Sequence, residues 1–251
     1  MFSFIEKITT TLFWDDLILP RDALQQLSDI RALIGELKGS IPGHGKHRLY
    51  SIFYGQKGTG KKSVAALLGR DAGRDVYRID LSLIVNKYIG ETEKNLKKIF
   101  DAAEEKQWIL FFDEADALFG KRTEIKDAHD RYANLEVSYL PDRLEKFQGL
   151  VIFAFESNEI IDKTFLRRAR QLIYFPIPEP GERILIWKKL LPISHKLHGS
   201  VNIDKLASLY GLSGGSISNA IKFATLQANI RNDGMLYQTD LVDGIRKVLP
   251  K

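Results

Sequence analysis

The sequence predicts a three-layer α/β fold, a parallel sheet covered by helices on both faces, followed by a small all-helical domain. Three observations carry that expectation. Short, nearly uncharged β-rich runs alternate with segments of helical periodicity, the pattern of strands buried on both faces. A glycine-rich loop lies between the first of these runs and a helix-like segment. After PIPEP (176–180) the strand pattern stops, and only amphipathic helical spacing continues.

RLYSIFY (48–54), DVYRIDL (75–81), WILFFD (108–113) and LVIFAF (150–155) read as buried parallel strands, with LIYFPI (172–177) as a fifth. KKSVAALLGRDAG (61–73) reads as a helix that stops at a glycine, and TEKNLKKIFDAAEEK (92–106) has apolar residues at helical spacing. DAHDRYANLEVSYL (127–140) is a further helical segment that Pro141 is expected to end or kink. ERILIWKKLL, IDKLASLY, SISNAIKFATLQANI and TDLVDGIRKVL read as four amphipathic helices. The domain boundary is therefore expected near residue 178, with 1–47 a helical lead-in, 48–178 the α/β domain and 179–251 the helical domain. No internal repeat or low-complexity tract interrupts this order.

Composition narrows the function classes. The chain of 251 residues is 44% hydrophobic and 27% charged, which suits a globular protein with one good core or two modest ones. No run approaches the ~20 apolar residues of a membrane span, and the first residues are too acidic for a secretory signal, so a cytoplasmic location is expected. The absence of cysteine removes disulfides, thiolate metal sites and cysteine nucleophiles. A net charge of +5, spread along the chain, supports solubility more than nucleic-acid binding.

GQKGTGKKSV (55–64) carries the most chemistry. Gly55, Gly60 and Lys61 fall where the phosphate loop G-x-x-x-x-G-K-[ST] of a P-loop NTPase needs them, after a strand and at a helix start. Glycines let backbone N–H groups curl around phosphate, the helix N-terminus adds positive potential, and the lysine neutralises β and γ oxygens. A glycine-rich turn without function would use the same residues. WILFFDEADALF weighs against that alternative, because Asp113 at a strand end can hold magnesium and Glu114 can polarise an attacking water. Asp-Glu alone is a common solvated turn. The two signals in this order, ~50 residues apart, are hard to produce by coincidence.

Five ordered stretches resemble the AAA+ ATPase superfamily, and within it the AAA clade, over nearly the whole chain. LFWDDLILP (12–20) is similar to the segment before the domain, and GQKGTGKK to the Walker A loop. LSLIVNKYIGETEKNL (81–96) resembles the first pore loop, FFDEADALFGKR (111–122) resembles Walker B, and DKTFLRRARQLIYFPIPEP (162–180) resembles the arginine-finger region leading into the lid. The wording is most similar to bacterial single-module AAA proteins.

The resemblance implies a ring, usually a hexamer, that binds ATP with Mg2+ between subunits. Carried over residue by residue, Gly55, Gln56, Lys57, Gly58, Thr59, Gly60, Lys61, Lys62 and Ser63 would form the nucleotide loop, with Lys61 on the phosphates. Asp113 would hold the metal and Glu114 the water, while Arg167 and Arg168 would reach a neighbouring subunit's site as arginine fingers. Lys87, Tyr88 and Ile89 fall where the family presents an aromatic to a central channel, and Gly214 and Gly215 where a lid helix starts near the adenine. Each has a plainer reading. The arginines suit a helix C-terminus by charge alone, Tyr88 suits a surface loop, and paired glycines suit a helix start.

Two positions depart from the family pattern. Lys62 replaces the Walker A hydroxyl, and Glu156 stands where the sensor strand ordinarily ends in Asn. A carboxylate there repels phosphate unless neutralised, so Lys62 is expected to pair with Glu156 or Asp113 and to lessen the dependence on metal. A shift that substitutes the Ser63 hydroxyl is disfavoured because it would misplace Lys61. Binding of ATP is expected to survive both changes, and hydrolysis to slow.

Three functions fit. The first is a ring ATPase that remodels or threads protein, and the second a hydrolysis-impaired subunit with a structural or regulatory role. A DNA-directed loader is the third, disfavoured because no DNA-binding module follows the lid. Expected partners are copies of itself or paralogous AAA subunits and an unidentified protein substrate or adaptor, with no membrane.

Overall fold

A computed structural model describes residues 5–37, 50–81, 92–116, 140, 142–159, 161 and 163–249. Its main sheet has six strands, β1 (Ile5–Ile8), β2 (Tyr50–Tyr54), β3 (Val76–Asp80), β4 (Ile109–Asp113), β5 (Val151–Phe155) and β6 (Gln171–Tyr174). Their spatial order is β1-β3-β4-β5-β2-β6. All neighbours are parallel except β1, which pairs antiparallel with β3. The apolar runs explain the centre of the sheet, since every residue of β5 is buried, as are the first four residues of β2 and of β4. β6 stops ahead of Pro176, which has no N–H for a further rung.

Aromatic side chains fill the layer beside the sheet. Phe112 and Phe153, on adjacent strands, stack with ring centres 5.0 Å apart, and Phe165 meets Phe153 edge-on at 5.1 Å. Tyr50 stacks on Phe165 and donates its hydroxyl hydrogen to the Phe165 carbonyl at 2.8 Å, so its one polar atom is satisfied where it is buried. The flanking helices are α1 (Arg21–Leu37), α2 (Lys61–Ala72), α3 (Thr92–Lys106) and α4 (Lys163–Arg168). α2 ends at Gly73, whose φ of 64° is the left-handed geometry of a helix stop.

The chain divides into two compact units, one of Met1–Leu12, Pro20–Gly55 and Lys61–Phe175, the other of Phe13–Leu19, Gln56–Gly60 and Pro176–Lys251. Four helices build the second, α5 (Pro180–Leu190), α6 (Ile203–Leu209), α7 (Gly214–Arg231) and α8 (Gln238–Val248). They enclose Trp187, Leu206, Ile217, Ala224, Leu241 and Ile245. α7 and α8 cross closely at Gly244, where a methyl group would stand 2.3 Å from the Ala220 carbonyl oxygen.

One expectation needs correction. Residues 5–8 form strand β1 where a helical lead-in is expected; α1 supplies helix only from Arg21. The second unit is helical as expected, with one short addition, β7 (Lys196–Leu197) pairing in parallel with β8 (Met235–Leu236). The expected helix at 127–139 with Pro141, and the segment carrying Lys87, Tyr88 and Ile89, lie outside the described residues.

Candidate nucleotide site

The glycine-rich loop leaves the end of β2 and enters α2. Gly55, Gly58 and Gly60 have φ of 141°, 80° and 107°, a region that side-chain-bearing residues adopt at a cost. Gly55 also passes so close to the chain after β6 that a Cβ would lie 2.1 Å from the Phe175 carbonyl oxygen. The Gly55 N–H donates to the Phe155 carbonyl at 3.1 Å, which ties the loop's root to β5. Within the loop, the Thr59 hydroxyl donates to the Gln56 carbonyl at 2.8 Å.

Lys61 is the first residue of α2 and is only 9% exposed; its ammonium donates to the Gly55 carbonyl. The cation is thus turned back toward the loop's root at the helix start, where a phosphate oxygen can replace the carbonyl as its acceptor. Gln56, Lys57 and Gly58 are exposed, and Ser63 is partly buried. Lys62 is exposed and, among the described residues, forms no ion pair with Glu156 or Asp113.

The acidic edge sits at the ends of β3, β4 and β5. Asp113 is the last residue of β4, level with Asp80 at the end of β3. Its Oδ2 accepts from Arg78 Nε at 2.6 Å, and the same guanidinium reaches Asp80 at 2.9 Å through its other arm. Asp113 Oδ1 accepts the Glu114 N–H at 3.1 Å. Glu114 adopts φ of 53°, a strained value for a residue with a side chain.

Asp116 accepts the backbone N–H of Glu156 at 3.1 Å, so the exposed Glu156 is pinned at the end of β5 through its main chain. Burial pushes the Asp116 carboxyl above the usual range; Glu156 adds to the rise, while the Glu156 N–H and Lys61 oppose it. Arg78, Asp80 and Asp116 were not among the residues expected to act here. Asp116 could have been read from its place three residues after Asp113, whereas the Arg78 contact needed the strand register.

These residues do not fit a magnesium ion held in the family's manner. Magnesium needs six oxygen ligands at short distance. Both Asp113 oxygens are engaged by protein donors, and position 62 supplies an ammonium instead of a hydroxyl.

In the second unit, Gly214 and Gly215 open α7 behind the N-cap Ser213, whose hydroxyl accepts the Ser216 N–H at 3.2 Å. Gly215 donates its N–H to the Gly58 carbonyl at 2.8 Å. The paired glycines and the loop crest are therefore in direct contact. Arg167 and Arg168 are exposed at the C-terminal end of α4, and Arg168 lies 3.6 Å from Glu145.

The chain is similar to known proteins in sequence and in fold. A family model described as ATPase family associated with various cellular activities (AAA) matches residues 51–177. Cell division protein C of Sulfolobus acidocaldarius is 33% identical over 190 residues, 72% of this chain and 49% of that protein. A proteasome-activating nucleotidase of Methanoregula boonei is 29% identical over 205 residues, 78% of this chain and 47% of that protein. The chain thus spans about half the length of these relatives. The crystal structure of the FIGL-1 AAA domain in complex with ADP superposes with a TM-score of 0.74 at 21% identity, covering 99% of this chain and 88% of that one, a likeness of fold. With the loop, the acidic strand end and the strand order in place, the chain belongs to the AAA family of ATPases.

Proposed function

We propose that the chain binds ATP at residues 55–63 and, in a ring with itself or paralogous subunits, uses the nucleotide state to remodel or thread protein. One observation carries the nucleotide reading: a loop with Gly55, Gly58 and Gly60 in glycine-favoured conformations delivers Lys61, nearly buried, to the start of α2. The relative named as a proteasome-activating nucleotidase supports a protein target over nucleic acid. In this reading the loop N–H groups and Lys61 hold the phosphates, and Glu114 orients water. Arg167 and Arg168 are exposed, as groups that serve a neighbouring subunit must be.

Titrating the full chain with fluorescent ADP tests the reading. Lys61→Ala removes the buried cation and is expected to weaken binding by about tenfold or more, the effect of one charge-assisted contact. Equal affinity of the two proteins would sink it. Native mass spectrometry with ATP reads the ring directly.

A second reading, a subunit that binds ATP but hydrolyses it poorly, is favoured by Lys62 and by the carboxylate of Glu156. It expects normal nucleotide affinity with turnover that Lys62→Thr combined with Glu156→Asn raises. Turnover already typical of the family in the unaltered chain would exclude it.

A further inference from the structure

We propose that Arg78 is a built-in counter-cation for Asp113, taking the place of a divalent metal's charge, so that nucleotide binds this site with little dependence on magnesium. The inference rests on the nucleotide reading above and goes beyond it by naming the residue that sets the metal requirement.

The argument starts from strand geometry. Side chains at alternate positions of a strand share a face, so Arg78 and Asp80 stand side by side on β3. The register sets Asp80 level with Asp113 on β4 and Arg78 level with Glu6 on β1. One guanidinium therefore serves three carboxylates: Asp113 at 2.6 Å, Asp80 at 2.9 Å and Glu6 at 3.9 Å. Arg78, Asp80 and Asp113 are 23%, 13% and 26% exposed, too covered for water to screen the pair as it screens a surface bridge. An arginine guanidinium does not lose its proton in a folded protein, so Arg78 beside Asp113 and Asp80 is a permanent cation.

A metal at Asp113 Oδ2 has to displace a short, charge-assisted hydrogen bond and leave Arg78 with less of its compensation, and one at Oδ1 competes with the Glu114 N–H and is repelled by the guanidinium on the same carboxylate. The hydroxyl that would share the work of holding the ion is absent, since position 62 is lysine. The two facts are independent, one of sequence and one of geometry, and both remove the metal's ligands. Lys62 itself makes no ion pair with Asp113; Arg78 occupies that role.

The test is the affinity of the full chain for fluorescent ADP in Mg2+ and in EDTA. For the unaltered chain the two affinities are expected to agree within about threefold, against a tenfold or larger gap where a bound metal completes the site. Arg78→Gln frees Asp113 and is expected to open a magnesium-dependent gap of about tenfold, whereas Arg78→Lys keeps the charge and the small ratio. A purely structural Arg78 would change stability in both variants and leave the ratio alone. A tenfold loss on chelation in the unaltered chain overturns the proposal, and so does an unchanged ratio in a folded Arg78→Gln protein. If that variant does not fold, the unaltered chain and Arg78→Lys still decide. Absence of binding in both media would overturn the nucleotide reading and this inference together, whereas a magnesium-dependent affinity overturns the inference alone.

Discussion

Gly215 donates its N–H to the Gly58 carbonyl at 2.8 Å, and a methyl group on Gly215 would stand 2.8 Å from the Gly58 Cα. The obstacle is backbone, which cannot rotate away as a side chain can. Gly215→Ala must therefore push α7 off the loop crest, and overpacking of this kind costs about 1–3 kcal/mol. Calorimetry should show a lower melting temperature, and ADP affinity should fall with it. Gly214→Ala, whose new methyl would meet nothing closer than 3.8 Å, is the matched control and should leave both nearly unchanged.

Arg183 is a buried cation whose work is done on carbonyl groups. It is 7% exposed and donates to the Ala207 carbonyl at 2.7 Å and to the Pro178 carbonyl. Arg183→Met fills much of the volume but orphans both acceptors, at about 1–3 kcal/mol each. Chemical denaturation should show this loss, and Arg183→Lys should recover only part of it because one ammonium cannot span both carbonyls with the fork's geometry.

Asp116 gives the loop's surroundings a pH signature. Its pKa is raised from 3.8, so the folded protein holds this proton more tightly than the unfolded chain. The stability that follows is complete below pH 3.8 and is lost as pH climbs through the raised value. Asp116→Asn keeps an acceptor for the Glu156 N–H while removing the titration. Melting temperatures across mildly acidic pH should accordingly vary less in the variant, and near neutrality it should be at least as stable. A steeper profile in the variant would contradict the assignment.

At the far end of the second unit, Arg231 grips Asp240 through two hydrogen bonds of 2.6 and 2.7 Å, and Asp240 also accepts the Tyr237 N–H at 2.9 Å. One carboxylate thus caps α8 and joins it to the end of α7. Asp240→Ala removes both functions and should lower the melting temperature by several degrees, whereas Arg231→Lys, which keeps charge without the fork, should lower it less. Differential scanning fluorimetry is sufficient to rank them.

The elements legible in the sequence were those in which local chemistry and tertiary fate agree. IFY, ILFFD and VIFAF are apolar because they are covered on both sides, and their runs located the strands. IEKI is half charged because β1 is an edge with two exposed residues, so it gave no strand signal. The two-residue strands β7 and β8 are too short for any periodicity to register. In the site, glycine spacing announced the loop because its backbone demands those residues. The pairing of Arg78 with Asp113 was hidden: it depends on which strand lies beside which, and Lys62, the candidate its place in the loop motif offered, forms no ion pair among the described residues.

The register of β2 has a consequence for synthesis on the ribosome. This strand, which holds the root of the phosphate loop, takes both neighbours from far downstream, Tyr50 facing Val151 of β5 and Ser51 facing Gln171 of β6. Until those segments have emerged, β2 has no strand to pair with, and loop closure over that span favours slow folding. Gly55 itself is fixed by Phe155 and wedged against Phe175. Residues 50–55 of a nascent chain therefore reach their places in the sheet only after residue 175 is free of the exit tunnel, and the α/β unit waits on its last strand.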